Sequence, residues 1–408
     1  MSYKKLISAL LIGAIIVLSL CGCSAKTVST SEADSDELFT SRDLEGTYDE
    51  SQAQHLSLSD ESVTITTEGV YIIDGSLSDG QIIVDAEDAK IQLVLNGVII
   101  SSDNSAAIYV KEADKVFITL ADTSANELKT VGEFEADGDI NVDGVIFSKA
   151  DLTLNGSGSL TVTTSYGNGI VSKDDLKITG GSYEISCSKH ALESNDLFAI
   201  ADGTVDVKES KEGIESKEIY ITGGSLSILA SDDGINASDD SSTAGEFAAQ
   251  EGVLLSVSGG TVYINCDGDG IDSNGDISIS GGSIVVEGPQ NGANGALDYN
   301  GSAEISGGTI LAIGSSGMAM NFSDASQGSI LVNFNASYSG ETITITDSDS
   351  NIIYTYKSSK TINSVLFSSE DLKKGETYTV SIGDQYQTVT LDSYIYGSSN
   401  GMGMGHMR

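Results

Sequence analysis

The chemistry open to this chain lies in its acids. Glu193, Glu215, Asn236, Asp272 and Asp298 each directly follow the apolar residue of one recurring motif, while Glu212, Asp233 and Asp269 stand two residues before it. Asp232 and Asp267 add to the same corner. If the repeats stack, equivalent positions lie ~4.8 Å apart, and aligned carboxylates repel by ~1 kcal/mol or more per pair. Bound cations would offset that cost. Calcium takes oxygen ligands from carboxylates, Asn amides and backbone carbonyls, all present here, so these ten residues are the candidate metal ligands and Ca2+ the expected cofactor. The plainer reading is an acidic face that keeps the protein soluble.

Catalysis would need a base as well. Neither Lys nor Arg occurs between Glu218 and Tyr356, so a basic residue acting at this corner would have to be Lys189, Lys208, Lys211 or Lys217. Surface charge explains these lysines more simply. His190 occupies the position of Glu212 and Asp233 and reads as a polar corner residue or marginal ligand rather than a base. A glycosidase needs two flanking carboxylates, a criterion that a ladder of acids meets too easily to be informative. Trp is absent, and the aromatics available to stack on sugars are scattered, among them Tyr166, Tyr220, Tyr263, Tyr299 and Phe322. With the basic residues missing between Glu218 and Tyr356, a polyanion could meet this stretch only through a bridging cation. Two local motifs are weaker. Asp267-Gly-Asp-Gly-Ile-Asp272 looks like a calcium turn but does not recur every nine residues. Asp347-Ser-Asp-Ser-Asn351 opens like an EF-hand without its later Gly and Glu, and reads as a hairpin turn.

The elements that must position these acids are short strands. Runs such as Val63-Thr-Ile-Thr66, Ile91-Gln-Leu-Val-Leu95 and Val116-Phe-Ile-Thr-Leu120 alternate and are bounded by Gly, Asp and Asn. Thr179-Gly180-Gly181 recurs in the forms ending at Gly203, Gly224, Gly260, Gly282 and Gly308, at spacings of 22, 21, 36, 22 and 26 residues. The 36 is one repeat plus a polar insertion around residues 239–250. Each Gly-Gly joins two alternating runs, and glycine supplies the positive φ of the corner. Three short strands and two corners per repeat predict an all-β right-handed parallel β-helix, a single-stranded solenoid of about 22 residues per coil, closed by a small C-terminal antiparallel β unit. Propeller and leucine-rich alternatives need longer or leucine-signed units. Val145, Ile170, Leu192, Ile214, Ile235, Ile271, Leu297 and Met320 would form one interior ladder. Cys187 and Cys266 fall at one inward position three coils apart, ~14 Å, too far for a disulfide, and are expected as buried free thiols.

The amino terminus sets the compartment. Lys4 and Lys5 precede an apolar run over residues 6–20, and Cys23 follows the small Gly22, which predicts a lipoprotein signal peptide and lipidation site over residues 1–23. Fifteen apolar residues are short for a membrane span of ~20. Residues 24–45 read as a disordered tether, 46–335 as the repeat domain, 336–396 as a β cap over the open end, and 397–408 as a disordered tail in which His406 is weak as a metal site. The expected place is the outer face of the cytoplasmic membrane, reached only through the N-terminal lipid. A formal net charge of −40, with Arg only at positions 42 and 408, speaks against nucleic acid as a partner. A monomer is expected.

Several long runs carry a resemblance. Phe39-Thr-Ser-Arg-Asp-Leu-Glu45, Ile91-Gln-Leu-Val-Leu-Asn-Gly97, Ala107-Ile-Tyr-Val-Lys-Glu-Ala-Asp-Lys-Val-Phe-Ile-Thr-Leu120, Leu152-Thr-Leu-Asn-Gly-Ser-Gly-Ser-Leu-Thr-Val162, Ser172-Lys-Asp-Asp-Leu-Lys-Ile-Thr-Gly-Gly181 and Phe367-Ser-Ser-Glu-Asp-Leu-Lys-Lys-Gly-Glu-Thr-Tyr-Thr-Val380 resemble the carbohydrate-binding β-helix family of clostridial surface lipoproteins, relatives in fold of the pectate lyases. The resemblance implies attachment to plant cell-wall polysaccharide, either polygalacturonate or cellulosic glucan, together with bound calcium. Asp232-Asp233-Gly-Ile-Asn236 is similar to the calcium-binding aspartates of such lyases. Non-catalytic binding is the first expectation, a calcium-dependent polysaccharide lyase acting by β-elimination the second, and a structural surface adhesin the third.

Overall fold

Alternating β-branched residues become strands because their side chains stand on opposite faces of a pleat and half of them can be buried. The computed structural model describes residues 38–245 and 247–397. Their strands form a 19-stranded sheet, a ten-stranded parallel sheet and a four-stranded antiparallel sheet. The ten-stranded sheet takes one strand from each successive repeat, from Val63–Ile65 to Leu297–Tyr299.

The large sheet corrects the expected architecture. Lys90–Ser102 and Leu176–Ser186 are long strands that run through the positive-φ residues Gly97 and Gly181. Their two halves therefore face different neighbours. Lys90–Ser102 pairs with Lys115–Leu120 and with Ala125–Thr130, while Leu176–Ser186 pairs with Asp151–Gly156 and with Ser159–Thr164. Those partners pair with each other in turn, so six parallel strands close into a barrel. The expected right-handed parallel β-helix, a single-stranded solenoid with separate strand columns, is thus replaced by an all-β protein with a closed six-strand parallel barrel, further strands joined to it, and the second parallel sheet. The expected small C-terminal antiparallel β unit is present as the four-stranded sheet, and the C-terminal segment also joins the large sheet. Thr361–Ser369 runs antiparallel to both Ala303–Gly314 and Gly328–Ser339 within the large sheet, and the four-stranded sheet packs around a second apolar cluster.

Close stacking explains the paired glycines. A Cβ on Gly281 would lie 2.1 Å from the carbonyl oxygen of Ser258, and Gly282 turns the chain at φ 84°. The first glycine permits the approach of the preceding repeat and the second makes the corner.

The interior ladder holds from Ile170 through Leu192, Ile214, Ile235 and Ile271 to Leu297 in register. Its ends differ from expectation. Ile146, not Val145, is the partner of Ile170, and the sheet ends at Leu297–Tyr299, before Met320. Cys187 and Cys266 are buried and unpaired, and burial pushes both thiols up to about 12.

Residues 38–45, expected as the end of a disordered tether, lie against the body. Leu38 and Phe39 pack with Ala199 and Tyr220. Asp43 is fully buried, 2.7 Å from Lys115 Nζ, and accepts a 2.7 Å hydrogen bond from Thr153 Oγ1. The Arg42 guanidinium covers the Phe117 ring at 4.6 Å. Residues 1–37, with Cys23, and the tail beyond Gly397, with His406, lie outside the described residues.

Candidate functional site

The outward column of the ten-stranded sheet changes character along the stack. After Thr64 and Ile83 at the start of the stack, its members Tyr109, Phe147 and Val171 are buried in one apolar cluster with Val142, against which Ile140 packs. From Glu193 onward the column turns polar, with Glu193 beside Glu215, then Asn236, Asp272 and Asp298 on successive strands. The structure divides the ten candidate ligands into two groups with different electrostatics.

The first group carries its own cations. His190 lies opposite Glu212 in the register, with Nε2 3.7 Å from Glu212 Oε1 and Nδ1 2.6 Å from Glu215 Oε2 and 3.5 Å from Glu193 Oε2. The Glu215 contact is an ion pair outside hydrogen-bond alignment, so Nδ1 has no hydrogen-bond partner. Burial works against the imidazolium, but Glu193, Glu215 and Glu212 outweigh it and hold the group up to about 10. Lys173 reaches Glu193 at 2.6 Å, Asn168 Nδ2 donates to Glu193 at 2.7 Å, and Lys211 reaches Glu212 at 2.7 Å. Burial alone would raise the Glu193 carboxyl, yet His190 and Lys173 bring it down to about 2. These charges neutralise one another without a metal.

That balance gives a pH-dependent prediction. A histidine raised from about 6.5 to about 10 contributes stability that is complete below the lower value and lost as pH rises through the upper one. His190→Gln should therefore melt lower than wild type at pH 7, by on the order of 5 °C, with the gap closing above pH 10. Equal gaps at pH 7 and pH 10.5 in thermal scans would contradict the imidazolium assignment.

The second group has acids without such partners. Asp233, Asp269 and Asp272 offer carboxylate oxygens that all lie within 4.8 Å of one another. Asp233 Oδ1 accepts from the Asp269 amide at 2.6 Å, and Asp269 Oδ1 from the Gly295 amide at 2.5 Å. Among the described residues no Lys, Arg or His forms an ion pair with Asp233, Asp269, Asp272 or Asp298. Burial raises Asp233 to about 6, with Asp232 and Glu212 adding repulsion. Burial also raises Asp269 to about 7 and Asp272 to about 8, where neighbouring aspartates repel them further. Asn236, between Glu215 and Asp272 in the column, has a buried Oδ1 without a hydrogen-bond partner. Hard oxygen donors, mutual repulsion and an orphaned amide oxygen together fit a calcium ion.

Asp232 and Asp267 stand at the margin, each tied to a lysine: Asp232 to Lys211 at 3.1 Å, Asp267 to Lys360 at 3.2 Å. Lys360, nearly buried, also donates to the Gly288 carbonyl at 3.3 Å and to that of Cys266. It comes from a loop 93 residues further on, and no sequence signal marks it. Of the four possible bases, Lys208 pairs with Asp206, Lys217 with Asp239 at 3.3 Å, and Lys189 lies 3.9 Å from Asp143. Lys211, paired nearest the second group, is shifted upward by its hydrogen bond to Glu212.

Residues 59–253 match a family model described as a carbohydrate-binding domain-containing protein. Carbohydrate is the ligand class of that family. The carbohydrate-binding match takes in Asp232, Asp233 and Asn236 and ends before Asp269. A carbohydrate-binding domain-containing protein of the clostridial organism Acetivibrio thermocellus is 39% identical over 194 residues, covering 45% of this chain and 66% of the relative. A solved structure of a polysaccharide lyase-like protein from C. thermocellum, a gadolinium derivative, is 29% identical with a TM-score of 0.45, covering 62% of this chain and 96% of the other.

Proposed function

We propose that this protein binds acidic plant cell-wall polysaccharide, polygalacturonate above all, through calcium held by Asp233, Asn236, Asp269, Asp272 and Asp298. The observation that carries the reading is the convergence of three half-buried carboxylates within 4.8 Å, with no basic partner among the described residues and the unpaired Asn236 oxygen beside them. A cation there would complete its shell with the carboxylates of the polymer. Two anions that would otherwise repel are then joined by one ion. The carbohydrate-binding match supports the ligand class.

Binding is proposed without turnover. A lyase base must be a neutral amine, and Lys211 is held as ammonium by Glu212 and Asp232. The place of action is proposed as the cell surface, with the chain held by lipid on Cys23.

Pull-down on insoluble polygalacturonate tests this. Retention should be strong in millimolar calcium and fall at least tenfold in chelator, with no unsaturated product absorbing in the ultraviolet. Retention that ignores chelator would refute the calcium bridge, and product formation would refute the non-catalytic reading.

A further inference from the structure

The N-terminal strap, residues 38–50, shapes a cleft where it crosses the barrel. The space is about 370 Å³, within the ~300–1,000 Å³ of small-ligand sites. Arg42, Glu45, Tyr48 and Asp49 line it from the strap, and Gln92 and Phe117 from the barrel.

The barrel side is held by a chain of hydrogen bonds. Gln92 is only 6% exposed, and its Nε2 donates to the Thr47 carbonyl at 3.1 Å and to Thr119 Oγ1 at 2.9 Å. Thr119 Oγ1 in turn donates to Asn155 Oδ1 at 2.6 Å, and Asn155 Nδ2 donates to the carbonyls of Asp43 and Glu45 at 3.5 Å. A carbonyl can only accept, so the Gln92 amide is fixed with Nε2 spent on these bonds. Its Oε1 remains an acceptor with no partner among the described residues.

Arg42 brings donors to the same space. Its guanidinium, over the Phe117 ring at 4.6 Å, forms no ion pair and no hydrogen bond among the described residues, in a chain with 60 acids and 20 bases. Stacking on the ring fixes the group and leaves its N–H edge available.

We propose that this cleft is a subsite for a neutral sugar residue, separate from the calcium corner. The inference rests on the carbohydrate-binding reading and adds a ligand class to it. Sugar hydroxyls both donate and accept, around an apolar C–H face. Arg42 supplies donors, Gln92 Oε1 an acceptor, and the Tyr48 ring apolar surface. Glu45 accepts from Thr47 Oγ1 at 3.3 Å and Asp49 from the Ser51 amide at 2.9 Å, which orients both carboxylates and leaves each with lone pairs for hydroxyls. A uronate is the poorer occupant, because these two carboxylates outnumber the one guanidinium. A metal ion is poorer still. The guanidinium repels it, and among the described residues neither Glu45 nor Asp49 belongs to a set of three ligand atoms within 4.8 Å.

The test uses calorimetry with neutral cello- and galacto-oligosaccharides in chelator, alongside calcium-dependent retention on polygalacturonate. Wild type should bind at least one neutral series. Arg42→Met keeps an apolar cover on Phe117 but has no donors, and Glu45→Ala removes a carboxylate that bonds only to Thr47. Each should weaken neutral binding about tenfold. Retention on polygalacturonate should stay within a factor of about two, because the calcium corner uses other residues. A sugar in the cleft touches strap and barrel together, so neutral ligand at about ten times its Kd should slow proteolysis within residues 38–50 about tenfold. If Arg42→Met by itself speeds that cleavage, Glu45→Ala decides. Neutral binding that Glu45→Ala leaves unchanged, or that fails to protect the strap, overturns the subsite and leaves the proposed function standing. So does an absence of neutral binding while calcium-dependent retention persists. Loss of both kinds of binding in wild type overturns the two together.

Discussion

Asp272→Asn should abolish most calcium binding and yet make the calcium-free protein more stable. An amide oxygen can still coordinate but brings no charge, so affinity measured by calorimetry is expected to fall about 100-fold, as does chelator-sensitive retention on polygalacturonate. Stability moves the other way. Asp233, Asp269 and Asp272 are raised in the folded state to about 6, 7 and 8. For carboxyls raised above their unfolded values, the stabilising contribution is complete at pH below about 4 and is lost as pH rises through those folded values.

Calcium-free wild type should accordingly weaken between pH 5 and pH 8.5. Asp272→Asn should weaken less, melting on the order of 5 °C above wild type at pH 8.5 and near it at pH 4. Calcium reverses the ranking at pH 8.5, because only wild type binds it tightly. A variant that melted below wild type in chelator at pH 8.5 would show that Asp272 stabilises the fold, and the cation argument would lose its basis.

The second large effect is expected at the N-terminal strap. Lys115→Met leaves the Asp43 carboxylate buried without its ammonium, and breaking a buried pair from one side costs about 3–5 kcal/mol. Burial by itself would raise Asp43, but Lys115, Thr153 and Thr40 hold it down to about 2. The strap is peripheral to the barrel, so the loss should appear as local opening rather than global unfolding. Cleavage within residues 38–50 under limited proteolysis should accelerate on the order of 100-fold, while the main melting transition moves by only a few degrees. Asp43→Asn combined with Lys115→Met should recover most of the protection, since the uncompensated charge is gone. Acid should release the strap of wild type as well, because a depressed carboxyl contributes stability above its unfolded pKa and loses it as pH falls toward about 2. If the double variant were cut as fast as Lys115→Met, the buried charge would not be what holds the strap.

Much of the site is legible in the order of the residues alone. The period of two within each run and the recurrence of the glycine pairs suffice to place Ile170, Leu192, Ile214, Ile235, Ile271 and Leu297 in one buried column, and therefore Glu193, Glu215, Asn236, Asp272 and Asp298 in the outward one beside it. Both follow from local geometry, because a pleat fixes which side chains share a face wherever the strand lies.

Closure of the barrel, the docking of Asp43 on Lys115, the arrival of Lys360 at Asp267 and the division of the acids between a group holding His190 and a group without a basic partner among the described residues were decided only in three dimensions. Each depends on which distant segments meet. Corner angles and side-chain reach settle that, and the hydrophobic alternation that identifies a strand carries no information about either.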